Sequence, residues 1–148
     1  MSLELKINKD LKTAMKAKDA AALRSLRSVK AAILLFKTSG KNEDFTEEKE
    51  IKLLQKLVKQ RRESLEIFEK QDREDLAVTE REEIAVLEKY LPKQMDAAEL
   101  EGIIQKIITD SGASSMKDMG KVMGAANKEL AGRADGKAIS EIVKRLLA

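Results

Sequence analysis

The chain has 148 residues, room for one domain or two small ones, and its 29 lysines and arginines nearly balance 26 acids. It has no cysteine and no histidine, which excludes disulfides, thiolate zinc sites, Ser-His-Asp and Cys-His relays and HExxH centres. A net charge of +3 permits an anionic partner, and with only Phe36, Phe45, Phe68 and Tyr90 as aromatics there is little to build a base-stacking platform.

The first stretch, "MSLELKINKDLKTAMKAKD", lacks the continuous apolar run of a signal peptide, and Glu4 and Asp10 argue against an organellar transit helix. No run approaches the ~18 apolar residues of a membrane span. These features predict a cytoplasmic protein without a membrane partner.

Apolar spacing is helical nearly throughout. Leu3, Ile7, Leu11 and Met15 form a first stripe behind Ser2 as a cap, and Leu26, Val29 and Ile33 form a second that ends before Gly40. "GKNEDF" reads as a loop. Thr46 then caps a long helix with Glu47 and Glu48 in its first turn, where they suit the helix dipole. "QDRED" is a polar break, and Thr79 with Glu82 predicts a capping box for a helix carrying Ile84, Leu87 and Leu91. After Pro92, Asp96 with Glu99 caps a helix that holds Ile103, Ile104, Ile107 and Ile108 and closes before Gly112. Ser115 with Asp118 caps the next, running to about Leu130. Asp135 starts the last, with Ile139, Ile142, Val143 and Leu146.

The pattern predicts an all-α protein: an N-terminal helical bundle over residues 1–92 and a C-terminal three-helix module over residues 93–148. Lysines and arginines number 20 against 18 acids before the boundary and 9 against 8 after it, so the two parts are equally balanced.

Two glycines fall inside the helix expected at 116–130. Each costs about 1 kcal/mol relative to alanine. At ~100° per residue, Met116, Met119, Val122, Met123, Ala126 and Leu130 gather on one side, while Lys117, Lys121 and Lys128 gather on the other. Gly124 projects between those lysines and Gly120 flanks them. Two explanations compete: another helix crosses closely over a smooth strip, or a phosphodiester backbone lies there between lysines. The following "GRADGK" adds Arg133 and Lys137 at an outward helix N-terminus, with Asp135 as the cap and an opposing negative charge.

Other charged stretches read as structural. Arg61 falls inside the stripe of Ile51, Leu54, Val58, Leu65 and Phe68, which predicts a paired, partly buried charge. Glu80, Glu83 and Glu88 of the following helix are the candidate partners. Arg24, Arg27 and Lys30 read as a solvated or ion-paired rim, Lys56 and Lys59 as a solvated face. The methionines at 116, 119 and 123 read as core filler. No cofactor and no metal are expected.

"KQRRESLEIFEKQDREDLAVTEREEIAVLEKYLPKQM" followed by "SSMKDMGKVMGAANKELAGRADGKAISEIVKRLL" resembles the YqeY family over essentially the whole chain. The C-terminal module is similar to the tail domain of the B subunit of the glutamine-dependent amidotransferase (a GatB/YqeY-like module), which amidates Glu-tRNA and Asp-tRNA. The resemblance implies that this module contacts the tRNA elbow while chemistry lies in other domains. The surface it implies is Gly120, Lys121, Gly124 and Lys128, with Arg133, Gly136 and Lys137 of the turn. The expected function is therefore a non-catalytic tRNA-binding accessory protein. It would work beside an aminoacyl-tRNA synthetase or an amidotransferase and read folded shape through backbone contacts. The rival is a protein-interaction module whose glycine strip receives a partner helix. Duplex DNA binding is disfavoured, because the last helix carries Ile and Val where base-reading Arg or Asn are needed.

Overall fold

The computed structural model describes residues 2–40 and 44–148. Among them are seven α-helices, one 3-10 turn and no strand. The middle of the expected "GKNEDF" loop, residues 41–43, lies outside the described residues. The chain divides into two compact units, Met1–Leu91 and Pro92–Ala148.

The first unit contains α1 (Leu3–Ala17), α2 (Ala20–Lys37), α3 (Glu47–Lys70) and α4 (Glu74–Glu88). Short polar side chains start three of them by accepting from orphan N–H groups: Ser2 from Leu5, Asp19 from Ala22 and Thr46 from Lys49. The α1 stripe buries Leu3, Ile7, Leu11 and Ala14. Met15, expected there, is 52% exposed, because Ala14 continues the i, i+3/i+4 spacing and Met15 lies one residue further round. Leu26, Val29, Ile33, Leu54, Val58, Ile84 and Leu87 complete this core.

The expected capping box at Thr79 and Glu82 does not form. The α4 helix begins at Glu74, five residues earlier, and Thr79 lies in its interior. Asp72 takes a left-handed conformation (φ 53°), which short polar residues tolerate, and so tightens the α3–α4 connection. Arg73 is held by both carboxylate oxygens of Asp75, and Glu74 and Asp75 occupy the first turn, where the dipole favours acids. The early start puts fully buried Ala77 in the first two turns.

Arg61 lies between α3 and α4 as the stripe predicts. Its guanidinium donates to Glu83 Oε2 (3.2 Å), Ser28 Oγ (2.8 Å) and the Leu57 carbonyl (3.3 Å). Of the three candidate acids, Glu83 is therefore the partner. Glu88 pairs with Arg62, while Glu80 keeps a buried carboxylate oxygen without a hydrogen bond. Loss of hydration, reinforced by the Glu83 charge, raises the Glu80 pKa against the lowering pull of Arg61.

The second unit holds α5 (Ala97–Ser111), a 3-10 turn (Met116–Asp118), α6 (Met119–Glu129) and α7 (Gly136–Leu147). Asp96 caps α5 through the Glu99 N–H (2.8 Å), and Gly112 ends it in the left-handed region (φ 71°). Leu100, Ile104, Ile107 and Ile108 of α5 pack with Val122, Ala126 and Leu130 and with Ile139, Val143 and Leu147 of α7. Ile103, Ile142 and Leu146 border this cluster half-buried. Ser115 starts a single 3-10 turn rather than the α-helix expected from 116, and the Asp118 carboxylate accepts from the Ser114 N–H.

Candidate nucleic-acid interface

The interface candidate is built on α6 and the turn into α7. Val122, Ala126 and Leu130 are buried, with Met119 and Met123 half-buried beside them, so the apolar stripe anchors one side of α6. Met116, expected in that stripe, is 46% exposed, because the tighter 3-10 turn shifts the angular phase before α6 begins. Gly120, Lys121, Gly124 and Lys128 lie exposed on the other side.

The glycine strip is open. A Cβ built at Gly120 or Gly124 meets nothing within 4 Å, and the same holds for Gly136. No helix of the second unit therefore crosses over the strip, and an internal helix crossing does not explain the missing side chains. Gly102 of α5 is a further exposed helical glycine with open space around it.

The cations around the strip are sparsely engaged. Lys121 Nζ donates weakly to the Ser111 carbonyl at the end of α5 (3.4 Å), and Arg133 Nε to the Lys93 carbonyl (3.4 Å). Lys117, Lys128 and Lys137 make no side-chain hydrogen bond or ion pair among the described residues. The one ion pair of this unit among those residues joins Arg145 and Glu101 on other helix surfaces.

The turn is fixed in place by the segment after Pro92. Gln94 Nε2 donates to the Gly132 carbonyl (2.6 Å) and the Met95 N–H to the Arg133 carbonyl (3.0 Å). Gly132 itself needs positive φ (78°) to make this corner. The "KQM" and "GRADGK" stretches, about 40 residues apart in the chain, thus form one hydrogen-bonded cluster; Gln94 is a positioning residue that the sequence did not reveal. Asp135 accepts from the Ala138 N–H (2.8 Å) and caps α7, leaving Gly136 and Lys137 in its first turn.

The arrangement can neutralise phosphates along α6 and the turn and can admit a backbone close to Gly120 and Gly124. Residues 4–147 match the family model described as Yqey-like protein. The chain belongs to the YqeY family.

Curated relatives carry one name, "Altered inheritance of mitochondria protein 41, mitochondrial". The protein from Vanderwaltozyma polyspora is 31% identical over 121 residues, covering 78% of this chain and 65% of its own length. That from Meyerozyma guilliermondii is 39% identical over 85 residues, covering 57% of this chain and 44% of its own length. A Pyrenophora tritici-repentis protein is 26% identical over 145 residues, covering 96% and 79%. The chain spans about half to two thirds of the length of the first of these curated relatives. The names of these relatives overturn the expectation of a cytoplasmic location, since they are named as mitochondrial proteins. Composition and the acids of the first helix carried that expectation, and neither encodes a compartment.

Proposed function

We propose that this YqeY-family protein is a non-catalytic accessory that binds folded tRNA at its elbow and acts beside an amidotransferase or an aminoacyl-tRNA synthetase. The observation that carries the proposal is the open Gly120–Gly124 strip, flanked by Lys117, Lys121 and Lys128 and continued by Arg133, Gly136 and Lys137. Helical glycines in open space destabilise the fold and fill no internal requirement, which supports an external backbone as their purpose. Scarce aromatics favour contacts to a folded phosphate surface over stacking of splayed bases.

The test is a binding assay on the Lys121→Glu, Lys128→Glu double variant against folded tRNA, with unfolded RNA and duplex DNA as competitors. The proposal expects loss of tRNA binding at an unchanged thermal midpoint, because both lysines are exposed. Wild-type affinity in the variant would reject it. A partner helix docked on the same strip gives a different pattern: binding of a protein that survives moderate salt and is lost in Gly124→Leu.

A further inference from the structure

The first unit carries a charge pattern that tRNA binding by the second leaves unused. Residues 2–38 hold nine lysines and arginines against three acids, whereas residues 44–91 hold ten against fourteen. All three acids of the first group are engaged. Glu4 pairs with Lys37, Asp10 accepts from the Tyr90 hydroxyl, and Asp19 accepts from the Ala22 N–H. In contrast, Lys6, Lys9, Lys12 and Lys16 of α1 and Arg27 and Lys30 of α2 are exposed and make no ion pair among the described residues. The α3–α4 hairpin closes many of its charges on itself, through Arg61 with Glu83, Arg62 with Glu88, and Arg81 with Glu69 and Glu74.

The same α1–α2 hairpin exposes large apolar side chains. Leu5 is 59% exposed, Leu34 62% and Leu35 72%. At ~100° per residue, Leu5 projects opposite the buried Leu3–Ile7–Leu11 stripe, among Lys9, Lys12 and Lys16. On α2, Leu34 projects away from buried Val29 and Ile33, beside Arg27 and Lys30. The Glu4–Lys37 pair holds the start of α1 to the end of α2, and Leu5 and Leu34 project from those ends.

We propose that the outward face of the α1–α2 hairpin is a peripheral docking surface for an anionic lipid bilayer. Unpaired cations are drawn to anionic headgroups, each contributing about fivefold in partitioning. Protruding leucines enter the boundary between headgroups and acyl chains, while lysine stems lie along it with their ammonium groups in water. The leucines select lipid over nucleic acid, because a phosphodiester surface offers no apolar phase for them. No helix among the described residues is long and apolar enough to cross a membrane. The expected lack of a membrane partner rested on span length alone, and docking on a bilayer surface requires no span.

The experiment is vesicle flotation of the full chain, with phosphatidylcholine alone and with added phosphatidylglycerol. The protein co-floats with the anionic vesicles only, and less so as salt rises. Lys9→Gln, Lys12→Gln, Lys16→Gln reduces partitioning by about a hundredfold, at about fivefold per cation. Leu5→Ser, Leu34→Ser also reduces it with every charge in place. Circular dichroism and the thermal midpoint confirm that both variants remain folded. Absence of flotation with anionic vesicles at low salt overturns the proposal. So does vesicle binding indifferent to the leucine substitutions with tRNA binding lost in the triple variant, which would make the hairpin a nucleic-acid surface.

Discussion

The open strip on α6 makes opposite demands on stability and on binding, and replacing both glycines by alanine separates them. Gly120 and Gly124 lie in an 11-residue helix, exposed, and a Cβ at either meets nothing within 4 Å. Each Gly→Ala change therefore stabilises the helix by roughly 0.5–1 kcal/mol with no steric offset. Together they contribute about 1–2 kcal/mol, or a rise of roughly 2–8 °C in the thermal midpoint for a chain of this size. The same two methyl groups stand where the proposed tRNA contact requires close approach of a backbone. Affinity for folded tRNA falls, and the salt dependence becomes shallower by about 1 for each phosphate contact pushed away. Thermal melts and anisotropy titrations on one preparation read both effects. A double variant that is no more stable than wild type would show that something packs on the strip. One that is more stable and binds tRNA undiminished would refute the claim that the glycines admit a backbone.

Four further substitutions test named residues. Arg61→Met removes the closer partner of Glu83 from a pair 16% and 13% exposed and leaves it only Arg24 at 3.6 Å, so stability falls by roughly 1–3 kcal/mol in urea titrations. Arg62→Met, in a pair 53% and 39% exposed, changes stability by less than about 1 kcal/mol. Glu80 has a raised folded-state pKa, so the native state retains a proton that the unfolded chain has already released. Its contribution to stability therefore falls as pH rises from the ordinary glutamate range through the raised value. Glu80→Gln removes that fall, visible as a difference between the two proteins' stability–pH curves. Asp135→Asn keeps the α7 cap while removing the acid beside Arg133 and Lys137. It tightens tRNA binding and shifts stability by no more than about 0.5 kcal/mol.

Helix starts were readable at Ser2, Thr46, Asp96 and Asp135, where a short polar residue precedes an apolar stripe, whereas the Asp19 cap of α2 was not singled out. The same rule misplaced α4, because Thr79 and Glu82 have the spacing of a capping box while sitting inside a helix set earlier by the left-handed Asp72. Arg61 announced itself as an inward charge, but the choice of Glu83 over Glu80 and Glu88 depends on how α3 crosses α4, a tertiary fact. Sequence placed the two glycines opposite the Val122–Ala126 stripe without deciding whether a helix covered them. Gln94 left no signal, since its role arises only when residues 92–95 meet the Gly132 corner. The basic α1–α2 face was hidden by summing, because α3 and α4 carry the compensating acids of the same unit.

The salt dependence of tRNA binding, compared between wild type and a variant with Lys121, Lys128, Arg133 and Lys137 each changed to glutamine, tests the central claim most directly. Four phosphate contacts at about 0.7–0.9 each give a wild-type log–log slope contribution of roughly −3 to −4. The account predicts that this contribution disappears in the variant while the fold persists. An identical slope and affinity in the two proteins would contradict it, and would place any tRNA contact elsewhere on the chain.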